Sequence, residues 1–350
     1  MNLLSVHRAE ELIAGCHAKR IAVIGDIMLD RYFWGSVSRI SPEAPVPVVD
    51  VESESFHLGG ASNVAVNLHA LGVHALMIGV IGDDSSGKTI LELIKHNGMD
   101  TRGIITDSAR PTTVKTRIIG NNQQIARLDR EVKTPLDDAI IEYVLSTLHE
   151  LAILPDDLSP QQVSMDVKSF NKPALAGIVL EDYNKGVITQ RLITEVIHFA
   201  MSHNIPVFVD PKLTNFFAYK HATLFKPNKK ETQDALGYPL TTDEDVCRAG
   251  RELLERLQCQ NVLITLGARG MMLFEQSGAI SSVEAKARHV ADVSGAGDTA
   301  IATLAAAVAA GASFVEAASL ANSAAGAVCE EPGIVAITPE RLLEAVERHQ

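Results

Sequence analysis

Short apolar runs recur along the chain, with room for one helix between most neighbours. Residues 20–25 (RIAVIG), 75–80, 176–180, 206–209 and 261–265 are almost free of polar positions. A strand that is apolar on both faces is covered on both faces, as in a parallel sheet clothed by helices. Residues 63–71, 87–97, 189–203 and 243–257 repeat instead at helical spacing. The alternation predicts an α/β fold: a three-layer α/β/α sandwich around a mainly parallel sheet.

Two stretches break this rhythm. Residues 32–58 carry three prolines and the extended run VPVVDVE, and residues 104–131 hold two alternating runs around Gly120-Asn121, which predicts a β-hairpin. Both are expected in one small antiparallel sheet, projecting as a lid from a single domain that spans 1–350. Residues 154–173 are polar with prolines near both ends and read as an insertion loop.

Composition narrows the class. The chain has 350 residues, 46% hydrophobic and 21% charged, enough for a large core, and a net charge of -12 that disfavours nucleic acid as partner. A phosphorylated ligand would therefore need local cations or backbone N–H groups. Cys16, Cys247, Cys259 and Cys329 lack metal-ligand spacing and read as free thiols in a reducing, cytoplasmic setting. The first twenty residues lack the pattern of a signal peptide, and the apolar stretch 300–310 is too short to span a bilayer.

Three glycine turns offer chemistry. The sequence DVSGAGDT at 292–299 opens an apolar helix. Small residues Gly295, Ala296 and Gly297 let a phosphate approach a helix N-terminus, where unpaired N–H groups favour an anion. Asp298 beside them fits a base that takes a proton from an attacking hydroxyl, or equally an ordinary helix cap. LGGASN at 58–63 lets a ligand lie on the backbone at Gly59 and Gly60, with Asn63 as donor and acceptor, or is a plain strand-to-helix turn. GDDSSGKT at 82–89 matches the P-loop pattern, yet Asp83 and Asp84 would put two negative charges in a polyphosphate cradle. We expect a turn with an exposed Lys88 there.

These elements together resemble the PfkB (ribokinase-like) carbohydrate kinases. GGASNVAVN from Gly59, with Gly72 and Gly82, is similar to the first signature of that family, and 292–298 to the second. Asn228-Lys229-Lys230-Glu231 resembles its NxxE element, and TLGARG at 265–270 its nucleotide turn. The motifs occur in family order over nearly the whole chain. GDIMLDRY at 25–32, SRISPEAPVPVV at 38–49, NQQIARLD at 122–129, DYNKG at 182–186 and VDPK at 209–212 resemble the branch acting on D-glycero-D-manno-heptose 7-phosphate. Glu181 stands where that branch usually has a small residue, and 329–333 (CEEPG) is more acidic than the pattern.

The resemblance implies ATP as phosphoryl donor, Mg²⁺, and in parts of the family K⁺, for which it points to no ligands here. Asp298 would be the base and 295–297 the anion hole. Asn228 and Glu231 would hold the Mg²⁺-phosphate assembly, Glu231 through water, an oxygen set suited to magnesium. Thr265, Gly267 and Gly270 would line the nucleotide site. Asp30, with Gly59, Gly60 and Asn63, would bind sugar hydroxyls. Lys185 and Lys212, with Arg31 and Arg39, are candidates for the sugar phosphate, as is Arg127 on the lid, which would reach into a neighbouring subunit; each is otherwise a surface cation. The implied reaction gives a 1,7-bisphosphate for ADP-heptose and lipopolysaccharide synthesis. It implies a stand-alone kinase, because no adenylyltransferase segment follows, and a homodimer through the lid, whose open strand edges need cover. The alternatives are a kinase for ribose, fructose or adenosine, and a non-catalytic sugar- or nucleotide-binding regulator. A Rossmann dehydrogenase is disfavoured, because no GxGxxG follows the first strand.

Overall fold

The computed structural model describes residues 4–153, 175–285 and 290–348, so the expected insertion loop at 154–173 lies outside the described residues. In chain order the strands are β1 (Arg20–Gly25), β2 (Ile27–Ile40), β3 (Pro47–Gly60), β4 (His74–Gly82), β5 (Ile104–Asp107), β6 (Thr113–Gly120), β7 (Gln123–Arg130), β8 (Gly177–Glu181), β9 (Val207–Asp210), β10 (Leu224–Phe225), β11 (Asn261–Thr265), β12 (Met271–Glu275) and β13 (Ile280–Val283). The α-helices used below are α1 (Val6–Gly15), α2 (Ala61–Ala70), α3 (Ser85–His96), α4 (Asp138–Ile153), α5 (Gln190–His203), α6 (Lys229–Leu236), α7 (Asp243–Leu257), α8 (Ala296–Ala309), α9 (Phe314–Cys329) and α10 (Pro339–Glu347).

Nine strands form the main sheet in the order β13-β12-β11-β10-β9-β8-β1-β4-β5. All pairings are parallel except the last two at the β13 edge. Strand side chains alternate between faces, and here both faces are dry. Ile21 and Val23 of β1 enter one core with residues of α1, α2, α3, α8, α9 and α10. Ala22 and Ile24 enter the other with residues of α4, α5 and α7. This is why the run RIAVIG has no polar alternation. The fold is the expected α/β/α sandwich.

The second sheet has four strands in the order β3-β2-β6-β7. Its outer pairs are antiparallel, and the central β2–β6 pair is parallel. The hairpin turns on Asn121 and Asn122, both at positive φ (53° and 61°), which asparagine tolerates better than most residues. The expected lid segment 104–131 departs at its start. Ile104–Asp107 pairs with β4 at the edge of the main sheet, because its short apolar run completes the βαβ unit after α3. No described helix is long and apolar enough to cross a membrane.

Candidate active site

Because β1, β8, β9, β10 and β11 run parallel and adjacent, their carboxyl ends share one edge. Polar residues gather there: Asp26 follows β1, Glu181 ends β8, Asp210 ends β9, Lys226 follows β10 and Thr265 ends β11. Ligands of open α/β sheets bind at this edge. Asp26 braces it. Its buried carboxylate accepts backbone N–H bonds from Tyr183 (2.8 Å), Lys185 (3.1 Å) and Val187 (3.1 Å), which fixes the turn after β8. Burial, reinforced by Asp182, nevertheless pushes the Asp26 carboxyl up to about 6.

Helix α8 brings Asp298 to the same edge. Gly295 precedes it at φ 78°, and a Cβ there would stand 2.7 Å from Asn63 Nδ2. The glycine thus permits the left-handed turn and leaves Asn63 room. Asp298 is the third residue of the helix, and Gly295, not Asp298, is the cap. The Asp298 side chain instead accepts from Asn63 Nδ2 (2.8 Å) and from the Tyr183 hydroxyl (2.7 Å). Burial raises its carboxyl to about 6 against these two bonds; Asp210 adds to the rise and Lys226 opposes it. A carboxylate so placed is a base near neutrality, which suits proton abstraction.

Asn63 is itself held. Asn67, one turn on along α2, donates to the Asn63 backbone carbonyl (2.9 Å) and side-chain oxygen (3.2 Å). The oxygen of Asn67 accepts from Thr299 Oγ1 (3.2 Å) and Ile337 N (3.0 Å). Two asparagines on one face of α2 therefore fix the start of α8. Below them Glu181, Asp210 and Asp298 are buried with carboxyl oxygens within 4.8 Å of one another. The ammonium of buried Lys226 faces this group, 2.7 Å from Asp210 Oδ2.

The lid sheet supplies the opposite wall. Asp30 on β2 is buried and accepts from the Arg117 guanidinium on β6. A Cβ on Gly59 would lie 2.0 Å from Asp30 Oδ2, so β3 must carry a glycine there. Gly60 and Asn63 follow at the entry to α2. Lys115, two residues before Arg117, lies 4.7 Å from the centre of the Tyr183 ring. Burial lowers its pKa, with Lys185 and Arg117 adding to the lowering and Asp30 and Asp298 opposing it. Lys185 pairs with Glu131 at 2.6 Å. Arg127 stands apart on the exposed outer strand β7, paired with Asp129 at 2.9 Å. Arg31 pairs with Glu54 and stacks on Phe33, and Arg39 is exposed.

On the nucleotide side, Asn228 and Glu231 form a reciprocal cap of α6: each side chain accepts the other's backbone N–H at 2.8 Å. Glu231 also receives Lys212 Nζ at 2.5 Å, and Lys212 lies 5.1 Å from the Tyr183 ring centre. Asn228 bridges to Thr265, which sets β11 and its turn, Gly267 at φ 61° and Gly270 at φ 88°, beside α6. The Glu231 carboxylate, largely buried, and the Asn228 amide are oxygen donors compatible with a hydrated Mg²⁺. The P-loop look-alike is a capped turn. Asp84 accepts from Gly87 N (2.9 Å) and Thr112 N (3.1 Å), so a carboxylate already occupies the start of α3, and Lys88 is exposed. A Lys88→Ala protein is expected to bind ATP like the wild type in calorimetric titration; lost binding would restore the P-loop reading.

The model described as pfkB family carbohydrate kinase matches residues 18–154 and 152–341. The chain belongs to this family. It is 40% identical over 334 residues to the bifunctional protein HldE of Geobacter sulfurreducens, covering 95% of this chain and 64% of that protein. The HldE of Paramagnetospirillum magneticum is 39% identical over 343 residues, covering 98% and 65%. The chain thus spans about two thirds of the length of these relatives. Among solved structures, phosphofructokinase-2 of Escherichia coli in complex with potassium superposes with TM-score 0.73 at 17% identity, covering 94% of this chain and 98% of that one. Arabidopsis thaliana ribokinase with ribose and ATP gives 0.71 at 18% identity, covering 95% and 99%. These likenesses show the family fold.

Within this PfkB-type cleft, the structure brings Asp298, Gly295, Asn63, Tyr183, Lys115 and Lys226 together. Only the first three stand out in the sequence. Lys226 had a signal: it interrupts the buried run LFKP, where an unpaired ammonium is costly. Tyr183 and Asp210 lay inside stretches singled out by resemblance, without a role of their own.

Proposed function

We propose that the chain transfers the γ-phosphoryl group of ATP to the anomeric hydroxyl of D-glycero-β-D-manno-heptose 7-phosphate. The product is the 1,7-bisphosphate, in ADP-heptose and lipopolysaccharide core synthesis. The observation that carries this reading is the position of Asp298: a buried carboxylate at the first turn of α8, between the lid and the carboxyl edge of the sheet. The similarity to HldE proteins over nearly all of the chain supports the substrate.

The acceptor hydroxyl lies against Asp298, which takes its proton as the oxygen attacks phosphorus. The Asn63 amide and Tyr183 hydroxyl hold the carboxylate in one orientation. Backbone N–H groups at 295–297, at the start of α8, receive the charge on the migrating group, with Ala296 N giving up its 3.3 Å bond to Val293 O. Asp30 and the backbone at Gly59 and Gly60 bind sugar hydroxyls. Lys115, Arg117 and Lys185 give the acceptor's own phosphate the cations that an acidic protein must provide locally. Lys212 then belongs with Glu231 on the nucleotide side. Mg²⁺ bound by Asn228 and Glu231 through water would screen the phosphate charge.

The protein acts in the cytoplasm as a homodimer. Ile40, Val51, Phe56 and Leu128 are exposed on the lid sheet, whose outer strands are open edges, a combination that fits a covered lid. A coupled assay with a panel of sugars tests the substrate. ADP release is expected with the heptose 7-phosphate. Turnover of ribose, fructose or adenosine with none of the heptose phosphate overturns it.

A further inference from the structure

One buried acid takes no part in the reaction just described. Glu181 ends β8 with no exposure, and neither carboxyl oxygen has a hydrogen-bond partner among the described residues. Its surroundings explain why none is left. On β9 its register partner is Asp210, whose oxygen is taken by Lys226. From α8 comes Asp298, and beyond β9 comes Lys212, already paired with Glu231. The Tyr183 hydroxyl bonds Asp298 and that of Tyr219 bonds Asp182 (2.7 Å). On the β1 side the partner is Gly25, and the Asp26 carboxylate faces the turn after β8.

Three carboxyl groups thus crowd within 4.8 Å around one directly bonded ammonium. An ionised carboxylate buried without a donor is strongly penalised, and adjacent carboxyls resist ionising together. Burial first, then Asp210 and Asp298, pushes the Glu181 carboxyl well above the usual range. Asp298 has two donors and Glu181 has none, so the proton stays on Glu181.

We propose that Glu181 is protonated whenever Asp298 is the ionised base, and that loss of this proton ends activity on the alkaline side. Glu181 is a positioning residue in this scheme: it meets no substrate and acts on the charge of the cleft. While it is neutral, Asp298 is the one carboxylate not already bonded to Lys226. Once it ionises, a second negative charge stands beside the place where the phosphoryl group must arrive. The inference rests on the reading of Asp298 as base, and its test separates the two.

Infrared difference titration of the substrate-free full chain is the first arm. The wild type is expected to show a carboxylic-acid carbonyl band at neutral pH that a Glu181→Gln protein lacks. In the second arm, the pH profile of kcat/KM keeps its acid limb in Glu181→Gln, while the alkaline limb moves up by about one pH unit or more. A Glu181→Ser protein, with a small uncharged group, is expected to show the same two changes should the glutamine variant fold poorly. No acid band in the wild type, or alkaline limbs that coincide, overturns the proposal. The infrared arm reads the proton without any turnover, so a failed kinase assignment does not mask the answer.

Discussion

An Asp298→Asn protein is expected to bind ATP and sugar phosphate as the wild type does while turning over about two to four orders of magnitude more slowly. Asparagine keeps the shape and can keep both contacts. Its oxygen accepts from Asn63 and its amide donates to Tyr183, whose hydroxyl rotates to receive it. What disappears is the ability to take a proton. The wild type should also lose activity as pH falls through about 6, where burial holds the Asp298 carboxyl. Stability follows the opposite sign. The folded pKa lies above the ordinary 3.8, so between those values the native state binds the proton that the unfolded chain has released. Native stability therefore declines as pH rises through this window. The asparagine variant escapes that decline, so its melting temperature should compare better with the wild type at pH 8 than at pH 4. Binding by calorimetry, turnover by coupled assay and melting at the two pH values check the three parts. A variant within tenfold of wild-type turnover would mean that another group takes the proton.

The order of layers was legible because burial on both sheet faces leaves a plain signature. RIAVIG, and runs like it, are apolar without alternation, and they became β1 and its parallel neighbours. The edge strand β5 was misplaced in the lid because four residues, IITD, carry no register information by themselves. The site was legible in part. Glycines and helix starts mark the chain locally, so Gly295, Asp298, Gly59 and Asn63 could be found in the sequence. Tyr183, Asp210, Lys226 and Lys115 come from four separate strands or their ends, and only the register of the sheets sets them around Asp298. Arg127 shows the same limit in reverse: β7 is exposed along its whole length in the single chain, and Arg127 pairs there with Asp129, apart from this chain's own cleft.

Replacing Lys226 with methionine should produce the largest loss of stability of any single change at the site. The side chain is 3% exposed and bonds Asp210, which is 9% exposed, at 2.7 Å. Methionine fills the same channel but carries no charge. Asp210 would then be a buried carboxylate without its cation, beside Glu181 and Asp298, and breaking such a pair costs about 3–5 kcal/mol. The loss should be greatest at alkaline pH and shrink toward pH 4, where protonation removes the repulsion. Taking away the partner as well, in Lys226→Met/Asp210→Val, should recover most of the stability, because no unpaired charge remains. Turnover should not recover. A Cβ at Gly297 would stand 3.9 Å from Lys226 Nζ, so the ammonium lies against the turn that is to receive the phosphoryl group. Denaturant midpoints of the single and double variants at pH 8, set beside their turnover, decide the matter. A single variant as stable as the wild type would show that the carboxyl cluster is not held by this cation.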